Sequence, residues 1–152
     1  MIGPVNTTEP LHSYNNNSWV KITMAKQSIA VFFGGISPEH DVSILTGLKI
    51  IEAIDRIKYD PFPVYVDRTG RWWTGQDLLN RANYHFSDQG FERLTAVHLP
   101  VGAVKKEDRP YLQGLKKTGL FGKPEVYPFD AAVCAFHGSL GEDGTMQGLF
   151  ET

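Results

Sequence analysis

Apolar positions fall into short continuous runs and one longer periodic stretch. Ser28 to Phe33 is apolar almost throughout. Such a run, bounded by turn residues, predicts a strand buried on both faces. Gly34 and Gly35 end it. Val42, Leu45, Leu48 and Ile51, with Ala53 and Ile54, then recur at helical spacing. They predict an amphipathic helix over 39–56 with these residues on its inner face. Ser37 reads as its N-cap and Pro38 as its first helical residue. Val64, Tyr65 and Val66 close a second strand, 62–66, which alternates less cleanly around Pro61 and Pro63. A third run, Asp130 to Phe136, predicts a strand over 131–136. Strand, helix, strand in that order favours parallel pairing.

The middle of the chain is less regular. Asp67 to Gly70 reads as a turn and Arg71 to Thr74 as a short strand, so 62–74 forms a hairpin. Gln76 to Arg81 has room for one or two helical turns. Leu94 to Leu99 and Val101 to Val104 pair across Pro100. Leu115, Leu120 and Phe121 lie among glycines and lysines with no clear period. Trp72 and Trp73 suit either half-buried hairpin aromatics or a stacking platform. Residues 1–26, with Asn15, Asn16 and Asn17 in a row and Pro4 and Pro10 breaking any pattern, read as a disordered tail. The tail has no apolar core of a secretory signal, and Met24 stands where a second start would. The expected fold is α/β, a three-layer sandwich with a mostly parallel sheet and core strands 28–33, 62–66 and 131–136.

Composition adds mainly exclusions. The chain has 152 residues, 41% of them hydrophobic, enough for one domain with a sizeable core. A formal net charge of -2 gives no basic footprint for nucleic acid. No apolar stretch approaches the roughly 18 residues of a membrane helix. Both observations fit a cytoplasmic protein without nucleic-acid or membrane partners. The single cysteine, Cys134, permits no intrachain disulfide and sits among Val133, Ala135 and Phe136, which predicts a small core residue.

Candidate chemistry gathers at two junctions where a strand runs into glycines and then a helix. Open α/β folds bind ligands at such strand ends. The first junction is Val31-Phe-Phe-Gly-Gly-Ile-Ser-Pro-Glu-His-Asp-Val-Ser43. It is neither a Walker A loop nor a GxGxxG fingerprint. It sets Glu39 in the first turn of a helix, where the dipole favours negative charge and a carboxylate can receive an ammonium group. Glu39 and Asp41 acting only on the dipole account for the same residues. The second junction is His137-Gly-Ser-Leu-Gly-Glu-Asp-Gly-Thr-Met-Gln-Gly-Leu-Phe-Glu151. It offers His137, Glu142 and Asp143 around a loop whose N–H groups suit an anionic oxygen. A surface turn needing only flexible glycines is the plain alternative. Helical H-E-x-x-H spacing and thiol ligands are lacking, so no metal site is expected.

Together the two motifs resemble the N-terminal domain of the D-alanine–D-alanine ligases, a family close to the D-alanine–D-lactate ligases of vancomycin resistance. The resemblance runs from about Gln27 to the last residue, with 67–129 sharing little beyond a Gly-Arg-Trp hairpin. It implies a Rossmann-like pre-ATP-grasp domain over 27–152. It also implies an enzyme that uses ATP and magnesium to join D-alanines for peptidoglycan, often as a homodimer. Carried over motif by motif, Glu39 matches the glutamate that holds the ammonium of the first D-alanine. His137 and Gly138 match the family's His-Gly pair beside that substrate, and Glu142 matches the acid that supports the site wall. In the family, ATP, magnesium, the catalytic arginine and the partners of the glutamate belong to the central and C-terminal domains. The expectation is therefore a domain inactive by itself, with Met146, Leu149 and Phe150 poorly covered on a truncated last helix. A stand-alone module that binds a D-amino acid or pairs with ligase chains is the other reading. The second substrate, D-alanine, D-lactate or D-serine, is not legible here.

Overall fold

The computed structural model describes residues 25–84, 91–100, 109–117, 122–138 and 141–151. The expected tail before residue 25 and the strand expected at 101–104 lie outside the described residues. Among the described residues seven strands form one sheet: β1 (Gln27–Gly34), β2 (Tyr59–Val66), β3 (Trp72–Thr74), β4 (Thr95–His98), β5 (Tyr111–Lys117), β6 (Pro124–Pro128) and β7 (Ala131–Cys134). Their order is β6-β5-β4-β3-β2-β1-β7. Helix α1 (His40–Ala53) follows β1 and helix α2 (Thr145–Phe150) follows β7. Two single-turn 3-10 segments, Gln76–Leu79 and Arg81–Tyr84, follow β3.

The parallel core is where the apolar runs put it. Strand β1 lies between β2 and β7, parallel to both, with Val31 opposite Pro63 on one side and Val133 on the other. Ala30, Val31, Phe32 and Phe33 have no exposed surface, as a strand covered on both faces requires. Beyond β2 every pairing is antiparallel, so the sheet is mixed rather than mostly parallel. For the β2–β3 step the reason is connection length. The Asp67–Arg71 turn is too short for anything but a hairpin, whereas a parallel return needs a crossover of about a dozen residues. Strand β2 runs through both prolines. Strand β3 pairs it only at Tyr65 and Val66, which leaves the proline-bearing part with one unpaired side, where a missing N–H costs little. Strand β4 pairs with β5.

The two faces carry two cores. Ile44, Leu48 and Ile51 of α1 pack with Ile29, Val31, Phe33 and Tyr65 on one face. Phe32, Val64, Val97, Leu112 and Phe129 fill the other, with Met146 and Phe150 of α2 packed against them. The Phe150 ring lies 5.1 Å from that of Phe32. The apolar residues of α2, expected to be poorly covered, are half-buried. Helix α1 buries His40, Ser43, Ile44, Gly47 and Ile51, while the expected Val42 is 50% exposed. The stripe is rotated because the helix meets the strand ends with polar groups and crosses β1 at a glycine. A Cβ on Gly47 would stand 2.6 Å from the Phe33 Cβ.

Cys134 also departs from expectation. Strand β7 is an edge strand and Cys134 is exposed. The burial it retains raises its thiol pKa, which disfavours the nucleophilic thiolate.

Candidate functional site

The first junction is built by a sharp turn and a tightened helix start. Gly34 and Gly35 adopt φ of 93° and 95°, a region only glycine enters freely. At Gly34 a Cβ would collide with the Val66 carbonyl oxygen. The Glu39 N–H donates to Ser37 Oγ at 3.1 Å, and the His40 N–H to the Ser37 carbonyl at 3.2 Å. Ser37 therefore supplies capping chemistry one turn early, and the α-helix proper begins at His40 with Glu39 as its N-cap. The Glu39 side chain makes no capping bond, so its carboxylate stands exposed at the helix start. Next to it, Asp41 pairs with Arg68 at 2.9 Å.

Two residues that the sequence did not single out brace this junction. His40 is 2% exposed; its Nδ1 donates to the Gly35 carbonyl at 2.6 Å and its Nε2 meets the Tyr65 hydroxyl at 3.0 Å. Burial, and then the charge of Asp67, pushes the Tyr65 pKa up to about 12, so that hydroxyl keeps its proton to donate. Ser43, fully buried, accepts from the Gly34 N–H at 2.8 Å and donates to the Ala135 carbonyl at 2.8 Å. A serine inside an apolar stripe, three residues after a histidine, is the signal the sequence held for this brace.

The second junction follows β7. His137 is half-buried, and its Nε2 lies 2.9 Å from Thr46 Oγ1 on α1. Gly138 has φ 74°, and a Cβ there would lie 2.6 Å from Ser37 Oγ and 3.7 Å from Glu39 Oε2. Only a bare backbone passes so close to the first junction. The Glu142 N–H returns to the Gly138 carbonyl at 3.2 Å, which folds Glu142 back over the strand end. Ser139 and Leu140 lie outside the described residues. Asp143 accepts from the Thr145 N–H at 3.0 Å, at the start of α2.

Glu39, His137 and Glu142 are thereby brought together, one ligand atom of each within 4.8 Å of the others. Gly138 lies between them and Ser37. The arrangement puts two carboxylates and one imidazole at the carboxyl ends of two neighbouring parallel strands. A cleft of about 760 Å³ opens among His40, Tyr65, Arg68 and Trp73. None of the four candidate residues lines it.

A sheet with polar groups gathered at the carboxyl ends of adjacent parallel strands defines the class, an α/β domain of the strand-end type. Residues 28–152 match the family model described as D-ala D-ala ligase N-terminus, and the chain belongs to that family. It is 34% identical over 126 residues to the D-alanine–D-alanine ligase of Thermosipho melanesiensis, an alignment covering 82% of this chain and 31% of that protein. Among solved structures it is similar to the D-alanine–D-alanine ligase from Coxiella burnetii. The TM-score is 0.65 and the identity 29%, over 83% of this chain and 33% of that one. It is also similar to the VanG D-Ala:D-Ser ligase from Enterococcus faecalis, with a TM-score of 0.64 and 27% identity, over 84% of this chain and 34% of that one. The chain thus spans about a third of the length of the relatives it matches. No helix among the described residues is long and apolar enough to cross a membrane.

Proposed function

We propose that this chain is the substrate-binding, N-terminal part of a cytoplasmic D-alanine–D-alanine ligase that supplies the dipeptide for peptidoglycan. In this reading Glu39, His137 and Glu142, with the Gly138 backbone, receive the ammonium of the first D-alanine. The chemistry of the cluster carries the reading: two carboxylates and one imidazole gather at the carboxyl ends of two adjacent parallel strands. With all three ligand atoms within 4.8 Å of one another, the cluster is compact enough for one small cation to meet all three side chains. The negative charge of Glu39 and Glu142 recognises the ammonium.

The whole ligase would draw on ATP and magnesium, held by the other two thirds of the enzyme, and ATP would supply the phosphoryl group that activates the first D-alanine's carboxylate. The residues of this chain bind and orient the substrate; the described residues offer no phosphate-gripping lysine loop. Homodimerisation belongs to the same reading.

The test is Glu39→Ala in a whole ligase carrying this domain. Loss of one charged contact worth about 1.5–3 kcal/mol raises the KM for the first D-alanine roughly ten- to a hundredfold. Unchanged turnover and unchanged D-alanine affinity would overturn the assignment.

A further inference from the structure

The Thr46 hydroxyl carries one hydrogen and faces two partners. Its oxygen lies 3.0 Å from the Val42 carbonyl, one helical turn back, and 2.9 Å from His137 Nε2. A carbonyl can only accept. When the hydroxyl proton goes to Val42, the hydroxyl oxygen is left as an acceptor toward the ring, and Nε2 must carry a hydrogen to fill it. We infer that Thr46 is a positioning residue that holds the proton of neutral His137 on Nε2 and so presents Nδ1 as a bare acceptor. This deepens the reading of the cluster as an ammonium receptor and rests on it.

The chemistry gives the device its purpose. Glu39 and Glu142 carry only acceptor atoms when ionised. With Nε2 engaged by Thr46, Nδ1 is the ring nitrogen left to meet a substrate, and a proton there would make it a donor that competes with the ammonium for the carboxylates. With the proton on Nε2, all three side chains offer lone pairs to one cation. The same logic operates where a second hydrogen bond on the far nitrogen fixes the tautomer of a working histidine. Thr46 is half-buried on α1, and its back-bond to the Val42 carbonyl selects the χ1 that also sets its hydroxyl against His137. The relay Val42, Thr46, His137 therefore links the site to the rigid helix that also carries Glu39.

Long-range proton–nitrogen spectra of the chain labelled with 15N-histidine read the tautomer without any substrate. The chain has five histidines, and His137→Asn assigns the relevant signals. In the pH range where the ring is neutral, Nε2 should show the shift of a protonated ring nitrogen and Nδ1 that of a bare one. Thr46→Val, which keeps the shape and removes the hydroxyl, should move both signals toward a tautomer mixture. Thr46→Ser should restore the wild-type pattern. A proton on Nδ1 in the wild type, or a Thr46→Val spectrum identical to wild type, overturns the inference. In a whole ligase, Thr46→Val should raise the KM for D-alanine severalfold, with Thr46→Ser close to wild type. An Nε2 proton in a protein whose Glu39→Ala variant binds D-alanine normally would uphold Thr46 and sink the substrate reading, so the two failures are distinguishable.

Discussion

The Ser43 hydroxyl donates to the Ala135 carbonyl at 2.8 Å while accepting the Gly34 N–H at the same distance. One buried side chain on α1 therefore ties together the ends of β1 and β7. Those two ends carry Glu39 and His137, so this bond pair reinforces, at the site itself, the spacing that the β1–β7 ladder gives its two halves. Ser43→Ala would leave a buried donor and a buried acceptor unmet, at a cost of about 1–3 kcal/mol. Urea unfolding should show the midpoint falling with the slope unchanged. Ser43→Gly should add the helix penalty of about 1 kcal/mol to that loss.

Gly138 answers to two constraints at once. Its φ of 74° costs a residue with a Cβ about 1–2 kcal/mol. The Cβ would also stand 2.6 Å from Ser37 Oγ, closer than real carbon and oxygen atoms approach. Gly138→Ala should lower stability by at least the backbone cost. It should also push His137 and Glu142 away from Glu39, so D-alanine affinity in a whole ligase falls further than stability alone explains. Equal, small effects on both would show that the loop has room to spare.

How far the sequence carried this picture follows from what periodicity can register. The apolar run 28–33 and the glycine junctions were legible because burial on both faces and tight turns each demand particular residue types. The inner face of α1 was not. His40, Ser43 and Gly47 look like solvent-facing or neutral positions in a hydrophobic pattern. They are inside because a helix start packed on strand ends must meet backbone groups and must come close. Strands β5 and β6 were equally hidden. Leu115 and Val126 are 63% and 54% exposed, so the outer sheet has no clean alternation to read. Glu39, His137, Gly138 and Glu142 could be named from two motifs, but Thr46 could not, since its meaning lies in a contact across the fold.

The packing of α1 gives a prediction that opposes helix propensity. Alanine is the better helix former by about 1 kcal/mol, yet a Cβ at Gly47 would stand 2.6 Å from the Phe33 Cβ. Gly47→Ala should destabilise by about 1–3 kcal/mol, the range of an overpacked core. Gly148 in α2 has no atom within 4 Å of its would-be Cβ. Gly148→Ala should stabilise by about 0.4–1 kcal/mol. Thermal melts of the two variants should move in opposite directions, and a shift of the same sign would show that the helices do not sit on the sheet as described.

Asp67 provides a pH test of the β2–β3 turn. Its Oδ1 accepts from the Thr69 N–H at 2.8 Å, the Thr69 hydroxyl at 2.7 Å and the Arg71 N–H at 3.0 Å, and its Oδ2 from Trp73 Nε1 at 2.9 Å. Burial by itself would raise the pKa of this carboxyl, but those hydrogen bonds outweigh it and the net shift is downward. A depressed pKa in the folded state means that the folded form binds protons less readily than the unfolded chain. The stability it contributes is therefore complete above the unfolded value of about 3.9 and is lost as pH falls through the folded value. Asp67→Asn keeps the shape but cannot accept on both sides, because its amide nitrogen would face either the turn N–H groups or the indole N–H. The substitution should cost about 1–3 kcal/mol at neutral pH. Unfolding midpoints of wild type and variant should then converge as the solution is acidified below about pH 4, where the wild type gives up the same bonds. A gap that stays constant to about pH 2 would mean that the carboxylate is not what holds the turn.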